Sequence, residues 1–150
     1  MLMQIQGSFC SHLFPDSRVL FLNSSGGSSA SSLVLARLKL GGAMKRGRRL
    51  PNAVICDSTS GRLVLVDIAK SNGPIDSRRR VELARLFGSH NKPIIFVTAF
   101  RDVSEFAQYQ QVLSWGTSAW MATAPEHLVV FDGKRLADPY PRRGQSGTVL

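Results

Sequence analysis

Residues 50–75, LPNAVICDSTSGRLVLVDIAKSNGPI, constrain the fold more than any other part of the chain. Two β-rich runs, AVICD and RLVLVDIA, are joined by the turn residues STSG, and a connection that short suits antiparallel neighbours. The segment therefore predicts a hairpin, with one carboxylate, Asp57 or Asp67, toward the end of each strand. Acids are the minority: the 150 residues carry 19 Lys and Arg against 10 Asp and Glu, a formal net charge of +9. A surplus of that size on a small chain favours a polyanionic partner, nucleic acid before a membrane surface.

The flanking segments fill out a mixed sheet. SRVLFLN, residues 17–23, reads as a strand stopped by the Ser/Gly tract SSGGSSASS, and SLVLARLKLGG, from Ser32, suits a short helix that closes on Gly41. GPIDSRRRVELARLFG predicts a helix capped by Asp76 or Ser77, with Val81, Leu83, Ala84 and Phe87 on its apolar side and Gly88 at its end. KPIIFVTAF, residues 92–100, is a nearly continuous apolar run of the kind buried on both faces, and is the best candidate for the sheet centre. A second helix is expected over residues 104–113, then two late strands at SAWMA and HLVVF and a turn at Asp132-Gly133. One α/β domain, a mixed central sheet flanked by helices, is expected across residues 1–140, with the Pro/Gly-rich residues 141–150 as a flexible tail.

Other features narrow the function by exclusion. Cys10 and Cys56 are too few and too irregularly spaced for a disulfide framework or a zinc site, and read as free thiols of a reducing cytoplasm. No apolar run approaches the roughly 18 to 20 residues of a membrane span, and the N-terminus lacks the pattern of a secretory signal. His12 and His90 lack ligand-like spacing, His127 reads as a strand-edge residue, and Trp115 and Trp120 read as core. KRGRR, residues 45–49, is either a solvated loop or a phosphate contact.

Hydrolysis of a phosphodiester at neutral pH calls for a divalent cation, and Mg²⁺ prefers carboxylate oxygen. A recurrent nuclease arrangement places one acid near the start of the first hairpin strand, a second on the next strand, and a Lys two residues further along the same face. Here the second acid falls at Asp67 and the first position holds Asn52. Lys70 lies three residues beyond Asp67, so a regular strand points it to the opposite face unless the strand bulges or ends at Ala69. An Asp at a strand end also serves turns, so spacing alone leaves both uses open, and Asp57 stays as a second metal or structural candidate.

LPNAVICD, LVLVDIAKSNGPID, RRVELARLF and IIFVTAFRD together resemble the C-terminal catalytic domain of the BsuBI/PstI restriction endonucleases, which is similar to the PD-(D/E)XK nucleases. Leu50-Pro51, Ser71, Gly73-Pro74-Ile75 and the FVTAF run match that family's pattern directly, and the resemblance extends over roughly residues 14–140. It implies Mg²⁺-dependent cleavage of double-stranded DNA at a short palindrome by a homodimer. It also implies Asp67 as principal metal ligand, Asn52 as the second and Lys70 as a water-orienting or phosphate cation. Arg46, Arg48, Arg49, Arg78, Arg79 and Arg80 are the candidate DNA contacts. Two departures bear on activity: Asn52 stands where the family has Asp, and Asp67 where it has Glu. By the same resemblance, the Ser/Gly tract in place of a more structured segment, and an N-terminal helical half expected to be lacking, imply a shortened member, for which a non-catalytic DNA-binding remnant is the alternative function.

Overall fold

The computed structural model describes residues 1–24, 27–28, 36, 38–39 and 48–132. The helix expected from Ser32, the Lys45 and Arg46 end of the basic patch and the tail over 141–150 lie outside the described residues. Seven strands form one sheet in the order β2-β1-β3-β4-β5-β6-β7. They are β1 (Ser17–Ser24), β2 (Gly27–Ser28), β3 (Ala53–Asp57), β4 (Leu63–Ile68), β5 (Ile94–Phe100), β6 (Thr117–Met121) and β7 (Leu128–Phe131). The expected hairpin is present, with β3 and β4 antiparallel and Ala53 opposite Val66. β4–β5 and β5–β6 are parallel, and β6–β7 is antiparallel, so the sheet is mixed.

The centre falls one strand earlier than the apolar run at residues 92–100 suggested. β4 is the middle strand, and all six of its residues are buried although one is Asp67. Its parallel neighbour β5 opens with the half-buried Ile94 and Ile95 and is buried only from Phe96 onward. The reason is the cover on the sheet's other face. Residues 2–13, α1 (Leu2–Gln4), a wider π-helical turn (Ile5–Phe9) and α2 (Cys10–Leu13), bury Ile5 and Phe9 against Ala53, Ile55, Val64, Val66, Val97 and Trp120. The N-terminal segment is thus part of the core, and the i, i+4 pair Ile5 and Phe9 is the pattern that marks it.

On the opposite face α3 (Ser77–Leu86) and α4 (Val103–Tyr109) cover the sheet. α3 is capped as expected, the Asp76 carboxylate accepting from the Arg79 amide at 2.7 Å, and Leu83 and Phe87 pack on Val54, Leu65 and Phe96. Asp102 caps α4 in the same way, accepting from the Glu105 amide. That helix is shorter than expected, because residues 110–113 leave the helical path while Leu113 still reaches the core. Trp120 is fully buried, edge-on to Phe9, but Trp115 is 55% exposed. Trp115 precedes β6 in a loop and so escapes the in–out alternation that buries Trp120.

Candidate functional site

The hairpin register sets Asn52 and Asp67 on neighbouring paths: with Ala53 opposite Val66, the next step outward pairs them. Their side chains nevertheless have separate partners. Asn52 sits in a bend just before β3 and is 1% exposed. Its Oδ1 accepts from the Ile68 amide at 2.8 Å, and its Nδ2 donates to the Asn23 carbonyl at 2.9 Å and the Ser71 hydroxyl at 3.0 Å. The amide thus ties β1 to the end of β4. It lines an open hollow of about 400 Å³ with Met1, Leu2, Met3, Ile68, Lys70 and Ser71.

Asp67 points the other way. It alternates with Ile68, which packs under the N-terminal helices, so Asp67 faces α3 and is 0% exposed. Arg79, on the first turn of α3, donates from Nε to Oδ2 at 2.6 Å and from Nη2 to Oδ1 at 3.3 Å. Asn72 donates to Oδ1 at 2.8 Å and, from the same nitrogen, to the Leu50 carbonyl. Arg79 is itself 2% exposed and uses Nη1 on the Arg49 carbonyl at 2.8 Å and on Glu82 at 3.0 Å. Burial opposes its charge, but the hydrogen bonds and attraction from Asp67 and Glu82 outweigh that and raise its pKa above the ordinary arginine value. Arg79 therefore spends its donors inside the protein rather than on a phosphate.

The remaining sites divide by exposure. Lys70 lies past the end of β4, as a strand ending before it allows, and is 61% exposed with its Nζ 3.7 Å from the buried Glu105. It shares the Asn52 hollow, not the Asp67 pocket. Arg48, Arg49 and Arg78 are exposed, and Arg80 lies half-buried over the Phe96 ring at 5.4 Å. Gly116, at φ +76°, leaves room for that guanidinium, since a Cβ there would lie 3.3 Å from its Nη2. Arg46 lies outside the described residues. Asp57 is taken up by its turn, accepting from the Thr59 amide at 3.1 Å and the Ser60 hydroxyl at 2.6 Å, with Arg62 at 3.5 Å. The Ser60 hydrogen bond leads in holding its pKa below the ordinary value, with Thr59 and Arg62 adding to it against the burial.

Sequence reasoning missed Arg79, Asn72 and Glu82 as the partners that define the Asp67 environment. The signal was the run Arg78-Arg79-Arg80: successive helical residues point about 100° apart, so three in a row cannot share one surface. Arg79, the middle one, turns inward and meets Asp67 on the facing strand.

A divalent cation does not fit the residues present. Both Asp67 oxygens are engaged by Arg79 and Asn72, and both polar atoms of Asn52 are engaged by its own chain. Among the described residues no group of three or more His, Cys, Asp and Glu is placed to hold a metal. One carboxylate with a guanidinium already against it is a poor donor set for an ion that needs near-octahedral oxygen.

An open cleft of about 360 Å³ lies beside this ion pair, lined by Arg49, Asn72, Gly73, Pro74, Asp76, Arg78, Arg79 and Glu82. Arg49 and Arg78 are its exposed cations, while Arg79 is paired with Asp67 and Glu82 and the Asp76 carboxylate caps the amino end of α3. No described helix is long and apolar enough to cross a membrane.

Comparison with known proteins places this architecture. The chain is 38% identical over 102 residues to the type II restriction enzyme BsuBI of Bacillus subtilis, covering 68% of this chain and 32% of that enzyme. It is 29% identical over 83 residues to the type II restriction enzyme AplI of Arthrospira platensis, covering 55% of this chain and 26% of the relative. The SdaI restriction endonuclease superposes with a TM-score of 0.75 at 28% identity, over 94% of this chain and 44% of its own. The chain thus spans about a third or less of the curated relatives' length. The model of the BsuBI/PstI restriction endonuclease domain matches residues 1–134, and the chain belongs to that family of type II restriction endonucleases.

Proposed function

We propose that this domain binds double-stranded DNA through the arginine-walled cleft and that its metal-dependent cleavage is weak or lost in the chain as it stands. The observation that carries the reading is the juxtaposition at the carboxyl end of β4. The cleft that exposes Arg49 and Arg78 opens beside the Asp67–Arg79 pair, while Asp67 itself is closed off by Arg79 and the neighbouring register position holds the neutral Asn52. Arg49 and Arg78 would meet phosphate oxygens, with Arg48 nearby in sequence, and the α3 dipole would add to their attraction. Negative charge developing on the phosphate oxygens would find these cations, but the Asp67 carboxylate, closed off by Arg79, would not be free to hold a metal.

A second reading, Mg²⁺-dependent hydrolysis at a palindrome by a homodimer, is favoured by the family match and by the hairpin that carries positions 52 and 67 on neighbouring paths, although their side chains turn to different faces. The two readings part in one assay. Supercoiled plasmid is incubated with Mg²⁺ or Mn²⁺, while affinity for a duplex is measured by mobility shift in EDTA. Binding without nicking is the expected result. Efficient cutting in either metal would favour the second reading, and failure to retain duplex DNA at low salt would sink both. Sedimentation with and without duplex reports whether two copies assemble.

A further inference from the structure

The guanidinium of Arg79 sits where a metal on Asp67 would have to sit. It contacts both carboxylate oxygens, at 2.6 and 3.3 Å, in a pocket where neither partner is more than 2% exposed. It is also anchored from behind, because Nη1 is held by the Arg49 carbonyl and by Glu82, so it cannot swing aside without breaking two further contacts. Its backbone is fixed as well, by the Asp76 cap on the Arg79 amide. A divalent ion approaching Asp67 would therefore meet a fixed positive charge at close range in a poorly solvated pocket. We infer that Arg79 is the resident cation of this site, a built-in substitute for a divalent metal at Asp67 that excludes one.

This inference deepens the reading of Asp67 as the acid of an endonuclease-type site and rests on it. Under it the lost metal affinity has two separate causes. Asn52 lacks a charge, and Arg79 supplies one of the wrong sign. Replacing Asn52 alone leaves the second cause in place. Removing Arg79 frees the Asp67 carboxylate, which then needs a counter-ion to stay ionised in its pocket, and a divalent cation is one that solution can offer.

The test is Mn²⁺ titration of the full chain followed by calorimetry and by thermal melting, for wild type, Arg79→Ala, Arg79→Gln and Arg79→Ala with Asp67→Asn. Wild type should show no Mn²⁺ binding that depends on Asp67, and a melting temperature that is flat across millimolar Mn²⁺. Arg79→Ala should melt about 10 °C lower without metal. Mn²⁺ should then restore its melting temperature in a dose-dependent way, with affinity on the order of a hundredfold or more above wild type. The double variant should lose that response. Mn²⁺ binding by wild type that vanishes in Asp67→Asn overturns the inference. So does a folded Arg79→Ala or Arg79→Gln whose melting ignores Mn²⁺, because the pair would then be structural only. Should both Arg79 variants fail to fold even in Mn²⁺, the inference is equally refuted, since a metal could not take the guanidinium's place. Duplex binding of wild type in EDTA, measured alongside, reports on the DNA-binding reading separately, because wild-type affinity there depends on no metal.

Discussion

Asn52 illustrates how a residue can look like a damaged ligand and act as a structural bracket. Judged by charge alone, Asn52→Asp restores an acid beside Asp67 and improves a metal site. Judged by its contacts, it exchanges an Nδ2 that donates to the Asn23 carbonyl for an oxygen facing that carbonyl at 1% exposure, even though the Ser71 hydroxyl can turn to donate to it. The second effect dominates, since a buried charge left against a carbonyl loses its hydrogen bond and keeps its desolvation penalty. Asn52→Asp is therefore expected to destabilise the chain by about 2 to 3 kcal/mol in urea unfolding at neutral pH. An unchanged urea midpoint would mean that the side chain does not hold β1 to β4. The sequence made position 52 legible as special, through the Leu-Pro before it and the nuclease spacing after it. It could not show what the amide touches, because Asn23, Ile68 and Ser71 come from three other stretches of the chain. Asp67 and Arg79 divide in the same way: the acid was legible, its counter-ion was hidden in a run of three arginines, and only the helix's rotation decides which of the three turns inward.

At the level of elements, local rules read the chain well where they are self-contained. The β3–β4 hairpin and α3 with its Asp76 cap follow from turn and capping chemistry within a dozen residues, and both are present. What local rules missed were the N-terminal helical segment and the place of β5, because both depend on which strand ends up in the middle of the sheet. The two carboxylate caps give a direct test. Asp76→Ala and Asp102→Ala should each cost about 1 kcal/mol in urea unfolding, from one orphaned amide at the start of each helix. Asp76→Ala should cost more than Asp102→Ala, because the same cap also sets the position of Arg79 over Asp67. The β3–β4 turn gives a pH test. Asp57 is held below its ordinary 3.8, first by the Ser60 hydroxyl, so the stability it lends is complete above that value and fades as pH falls through the lower folded one. Asp57→Asn should consequently lower the melting temperature at neutral pH and converge with wild type at strongly acid pH. A gap between the two that persists unchanged into acid would show that the carboxylate's charge plays no part in the turn.

For the whole molecule, the question is where a charge of +9 is placed and how much of it DNA can reach. The sum is legible in composition, yet composition treats every arginine alike. Arg79 is neutralised inside by Asp67 and Glu82, Arg80 lies against Phe96, and Arg62 is spent on Asp57. Arg49 and Arg78, by contrast, line the open cleft from opposite sides of the chain's path, one before β3 and one on α3. Only the fold brings them to one wall, which is why the cluster at residues 45–49 and the run at 78–80 read separately in sequence. If that wall is the DNA surface, log K against log salt should fall by roughly 0.9 for each phosphate contacted. Arg49→Ala and Arg78→Ala should each flatten the slope by about one contact, and the double variant by about two. Arg62→Ala, which removes the same formal charge from a turn at the far end of the hairpin, should leave the slope within error. Equal flattening by all three would mean that DNA senses only net charge, and the cleft would lose its standing as the binding surface.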